Sequence, residues 1–86
     1  MTHEEVVRRV HVTLLREFDV VEGNLRPEAR LVDDLGLDSL DGIDLVVALE
    51  REFKDVRIKI KEDQARTLTT LQAVYAYVES HQDAAA

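Results

Sequence analysis

No cysteine occurs among the 86 residues, which excludes disulfides, a thiolate metal site and a cysteine nucleophile. Any thiol chemistry would have to come from a group attached to the chain. Positive charge is scarce: 11 Lys and Arg stand against 18 Asp and Glu, a net charge of −7. Phosphate backbones and anionic membrane surfaces repel such a chain, so basic protein surfaces are the expected partners, and nucleic acid and membrane are not. Long apolar runs are missing too. Runs such as Leu45 to Leu49 fall far short of a membrane span. The opening MTHEEVVRRV lacks the basic-then-apolar pattern of a secretory signal. A cytoplasmic monomer is the expectation. With no repeats and no low-complexity linker, the length suits one domain over residues 1–82 and a disordered tail at 83–86.

Helical periodicity marks three segments. From Glu4 to Phe18, Val7, Val10, Leu14 and Phe18 share one face, with His11 at its edge between Leu15 and Phe18. From about Thr70 to Ser80, Leu71, Val74, Tyr75 and Val78 do the same, and a threonine of the Leu68-Thr69-Thr70 run supplies the cap. The connection from Asp19 to Asp38 is long for a compact domain. Leu25, Ala29, Leu31, Leu35 and Leu37 are spread through it, which predicts a connection packed onto the helices, with a short helical turn inside it. Gly36 suits a sharp change of direction before the next helix. In KDVRIKIK, residues 54–61, Val56, Ile58 and Ile60 alternate with Arg57, Lys59 and Lys61. With no second strand to pair with, this is read as an extended connection, followed by a short helix over about Glu62 to Arg66. The fold class is all-α: a small bundle of three main helices and a minor one.

The central segment, Ser39 to about Phe53, carries two apolar faces. Leu45, Val46, Leu49 and Phe53, with Gly42 among them, form a core face. Leu40, Ile43 and Val47 gather on the other side with Asp44 and Arg51. So small a bundle does not easily bury a helix all round. Either the long connection covers the second face, or that face is a docking stripe bordered by Asp38, Asp41, Asp44 and Glu50.

Ser39 opens this segment, in LGLDSLDGIDLVVALE. A nucleophilic role fits badly. The flanks lack the glycines of a G-x-S-x-G elbow, and His3, His11 and His81 all lie on the terminal segments. His3 and His81 are expected in solvent and His11 in helix-edge packing. An EF-hand alignment on Gly42 puts Leu37 and Ala48 at positions that need carboxylates, so no built metal site is expected and only weak divalent binding by the clustered carboxylates stays open. Capping explains Asp38 better than Ser39, because Asp38 and Asp41 have the spacing of a capping box. What remains for Ser39 is attachment. A helix N-terminus favours a phosphate, and spacing alone leaves open whether that phosphate is simple or part of a larger arm.

LGLDSL followed by DLVVALEREF resembles the acyl carrier proteins of fatty-acid and polyketide synthesis. The resemblance extends upstream through Leu31-Val32-Asp33-Asp34 and downstream through Leu68-Thr69-Thr70-Leu71, covering nearly the whole chain. It implies a four-helix bundle without enzymatic activity. It also implies that Ser39 receives phosphopantetheine from coenzyme A through a phosphodiester, and that the thiol of that arm holds acyl groups as thioesters. By the same resemblance, basic patches on a phosphopantetheinyl transferase and on acyl-processing enzymes dock on the second helix. Leu40, Ile43 and Val47 would be the apolar contacts, and Asp38, Asp41, Asp44 and Glu50 the acidic ones. Ile43, Leu49 and Leu68 would line an acyl pocket.

Two features depart from the family pattern. Arg51 interrupts the negative face, and KDVRIKIKEDQARTL is longer and more basic than the usual lead into the third helix. The second is either an ordinary solvated loop or a selector of dedicated partners. Two other readings stay open: an amino-acyl (peptidyl) carrier, and a structural or adaptor subunit of the same fold.

Overall fold

A computed structural model describes residues 1–81; position 82 and the expected tail at 83–86 lie outside the described residues. The described residues form four α-helices: α1 (His3–Glu17), α2 (Ser39–Glu52), α3 (Glu62–Ala65) and α4 (Leu71–Ser80). No strand forms among the described residues, in keeping with the all-α expectation. Helix α1 begins at His3, one residue before the periodicity placed it, because the Thr2 side chain accepts the Glu5 amide at 3.1 Å. Its core face is Val6, Val10 and Leu14, with Val7 only half-buried. A single stripe centred on Val7 is too narrow for a helix that packs on both α2 and α4.

The long connection folds inward as its leucines predict. Leu25, Ala29, Leu31, Leu35 and Leu37 are all buried, and the short helical turn is a 3-10 turn at Glu22–Asn24. Backbone bonds tie it to the start of α4: Leu31 N–H donates to the Thr69 carbonyl (3.0 Å), Leu71 to Ala29 (3.0 Å) and Gln72 to Pro27 (2.8 Å). A turn over 31–37 closes through Leu37 N–H to the Leu31 carbonyl and Gly36 N–H to the Val32 carbonyl. The chain turns back at Gly36, whose left-handed φ of 73° a glycine adopts without a Cβ penalty.

After α2 the chain makes a 3-10 turn at Lys54–Val56 before it extends. The extended reading therefore holds for 58–61 and not for 54–57, because the Phe53 carbonyl draws back both Val56 N–H (3.1 Å) and Ile58 N–H (3.4 Å). Ile58 and Ile60 then point into the core, while Arg57, Lys59 and Lys61 are exposed.

Arg9 fastens this turn to α1. Its guanidinium donates to Glu52 Oε2 (2.9 Å), to the Glu52 carbonyl, and to both oxygens of Asp55 (2.8 and 3.1 Å), and it lies 4.6 Å from the Phe53 ring centroid. The Asp55 hydrogen bond holds the guanidinium firmly in its charged form, against the opposing cost of burial. Arg9→Met is expected to lower stability by about 2 kcal/mol, since it loses these contacts and leaves the half-buried Glu52 carboxylate with only a 3.5 Å bond from Arg16. Urea unfolding measures this; a loss below about 0.5 kcal/mol would reduce the network to an ordinary surface pair.

His11 and Tyr75 join α1 to α4. The Tyr75 hydroxyl, which burial pushes up to about 12, stays protonated and shares a hydrogen bond with His11 Nε2. Burial lowers the His11 pKa, with Glu22 opposing. The native state thus prefers neutral His11, and the unfolded chain binds the extra proton between the native pKa and about 6.5. This contribution is complete above about pH 6.5 and is lost as the pH falls through that value toward the native pKa. Denaturant midpoints should fall less between pH 7.5 and 5.5 for His11→Gln than for wild type. Equal falls would remove His11 from the acid sensitivity. His3 and His81 are exposed, as expected, although His3 Nδ1 lies 2.9 Å from Glu79 Oε2 and His81 stacks on Tyr77 at 3.9 Å.

Candidate functional site: the start of α2 and the cleft beside it

The start of α2 is organised by two carboxylates. Asp38 Oδ1 accepts the Asp41 amide at 2.9 Å, and Asp41 Oδ2 accepts the Asp38 amide at 3.2 Å. This reciprocal capping box is the one the sequence spacing predicts. Capping is therefore complete without Ser39. Ser39 is exposed as the first helical residue, and no hydrogen bond among the described residues engages its hydroxyl.

Ser39 opens onto a cleft of about 1150 Å³. One wall is α2, through Gly42, Ile43, Val46 and Val47; the second is Leu31, Val32 and Leu37 of the long connection; the third is Ile60, Ala65 and Leu68. The lining is mainly apolar, and charge sits at the rim in pairs, Arg30 with Asp33 (3.3 Å) and Arg66 with Glu62 (2.9 Å). Among the described residues no three His, Cys, Asp or Glu side chains group as ligands for a metal ion.

The second apolar face of α2 is not covered by the long connection. Leu40, Ile43 and Val47 are 69%, 63% and 48% exposed, and Asp44 is exposed beside them. Val32, 65% exposed, adds to the apolar surface around the cleft. No periodicity marked it, because an isolated valine before two aspartates in a connection leaves no pattern to detect.

The other sequence-predicted site residues divide. Ile43 and Leu68 line the cleft, whereas Leu49 does not: it is 0% exposed and belongs to the core of the bundle. Asp41 uses one oxygen in the cap. Glu50 is half-buried, and its Oε2 accepts the Ile60 amide at 2.9 Å.

An exposed, unbonded hydroxyl at a helix start fits the attachment of a phosphate-linked arm. The first amides of α2 lack intrahelical acceptors, and the helix dipole favours the anion. The chain matches the family model of the phosphopantetheine attachment site over residues 8–78. It belongs to that family, the carriers of the acyl carrier type. The cofactor of this carrier domain is covalent phosphopantetheine, and carriers of this family engage phosphopantetheinyl transferases and processing enzymes and are generally not catalysts themselves. No helix among the described residues is long and apolar enough to cross a membrane.

Proposed function

We propose that Ser39 is the attachment residue and that the protein is a cytoplasmic, monomeric acyl carrier serving fatty-acid, polyketide or related lipid biosynthesis. The observation that carries this reading is the free Ser39 hydroxyl, held by the Asp38–Asp41 box at the mouth of an apolar cleft. When attached, the arm supplies a terminal thiol that forms thioesters with acyl groups, which the cysteine-free chain cannot do itself. The chain's own residues present the hydroxyl, orient it and offer a recognition surface. Leu40, Ile43 and Val47 furnish that surface's apolar contacts, with Asp41, Asp44 and Glu50 as its acidic members for basic patches on the transferase and the acyl-processing enzymes.

The mainly apolar cleft favours acyl over amino-acyl cargo, with Ile43 and Leu68 in contact with it. The exposed basic positions Arg57, Lys59 and Lys61 lie away from the acidic end of α2 in sequence and give partners a second, opposite charge to read.

Intact mass before and after incubation with coenzyme A and a phosphopantetheinyl transferase tests the reading. A phosphopantetheine-sized gain that peptide mapping assigns to Ser39 is expected. No gain with several transferases would favour a structural or adaptor subunit that uses the same exposed stripe.

A further inference from the structure

Charge changes sign along the exposed face of α2, and the change falls at Arg51. Asp44, Val47 and Arg51 stand at i, i+3 and i+7 on one face of the helix, and all three are exposed. Asp44 and Arg51 are thus about 10 Å apart along the axis, with the apolar Val47 between them. Beside them lies a small pocket of about 260 Å³, completed by Glu17 and Phe18 at the C-terminal end of α1.

The two charges are uncommitted. Among the described residues neither the Asp44 nor the Arg51 side chain has an ion-pair or hydrogen-bond partner. The carboxylates nearest Arg51 in sequence are engaged elsewhere: Glu52 and Asp55 pair with Arg9 (2.9 and 2.8 Å), and Glu50 accepts the Ile60 amide. Glu17, across the pocket, pairs with Arg16 at 2.9 Å. The rim of the large cleft is built differently, since Arg30 and Arg66 each have a carboxylate of their own there. At Arg51 the positive charge is left for another molecule to meet.

We infer that Arg51 is a specificity-determining residue of this carrier, selecting partners that set a carboxylate against it and turning away those whose docking face is basic throughout. The matching strip on the partner is a cation facing Asp44, an apolar side chain over Val47 and a carboxylate facing Arg51, with about 10 Å between the two charges. A helix that presents the two charges at i and i+7 has this spacing. A partner cation opposite Arg51 meets like charge with no free carboxylate at hand to offset it. Attraction at Asp44 brings partners in, and repulsion at Arg51 sorts them. This rests on the docking reading of α2 given above.

Loading kinetics on the full chain test it, with coenzyme A and a phosphopantetheinyl transferase of uniformly basic docking face as the probe. Arg51→Glu should lower the KM for the carrier about fivefold at low salt with kcat unchanged, and Arg51→Gln about twofold. Arg51→Lys, which keeps the charge, should match wild type. The gap between wild type and Arg51→Glu should close as salt rises from about 0.05 to 0.5 M, which a packing effect would not do. Crosslinking from Arg51→Cys, in a chain with no other cysteine, locates the transferase residue that faces position 51. A transferase with glutamate at that place should reverse the order and load wild type with the lower KM. An equal or higher KM for Arg51→Glu, or a swapped transferase that treats both carriers alike, overturns the sorting role. Wild type that loads with a KM indifferent to residue 51 leaves the carrier reading intact. Wild type and variants that never load remove that reading and the inference with it.

Discussion

Ser39→Ala is expected to abolish the mass gain on incubation with coenzyme A and transferase, while unfolding within about 0.5 kcal/mol of wild type. The two halves of this expectation have separate physical causes. Loading requires a hydroxyl oxygen to attack the phosphorus, and alanine has none. Stability is spared because the hydroxyl bonds nothing among the described residues and the cap belongs to Asp38 and Asp41. Alanine is also the most favourable helix former. Intact mass and urea unfolding, read side by side, separate attachment from capping. A residual gain in the mutant would move the attachment to another hydroxyl, and a large stability loss would restore a capping role to Ser39.

Leu49→Ala should cost about 3–4 kcal/mol, a large share of the stability of so small a domain. Leu49 is fully buried within the cluster that includes Val10, Leu14, Phe53 and Val74. Removing its side chain leaves a cavity among neighbours that come from three helices and cannot all close in. Ile43→Ala, at a position mostly in solvent, should cost less than about 1 kcal/mol. The pair therefore distinguishes core from cleft. If Leu49 lined an acyl site, its truncation would alter cargo binding at nearly wild-type stability, and urea midpoints for the two variants would be similar.

Much of the candidate site was legible because its determinants are local. The Asp38–Asp41 box is an i, i+3 relation, Gly36 answers to one backbone angle, and the second apolar face of Leu40, Ile43 and Val47 follows from the helical period, which leaves open whether the long connection covers it. The buried leucines of the long connection were legible as well, since five apolar side chains without a helical or strand period still have to leave water. Glu50, Val32 and Arg9 were not legible. Each takes its role from a group far away in sequence: Glu50 from the Ile60 amide, Val32 from its place at the cleft, Arg9 from Glu52 and Asp55. Leu49 was legible as core, because its place on the apolar face of α2 follows from the helical period.

The sequence by itself determined the class of protein: an acidic, cysteine-free, all-α domain whose LGLDSL run puts a serine at the start of a capped helix. Those properties depend on composition, on helical period and on bonds spanning three or four residues. Only the tertiary structure decided that a cleft adjoins that serine, which residues line it, and that one carboxylate of α2 bonds the backbone of its far wall. Those depend on long-range packing, which brings together segments that no local pattern connects.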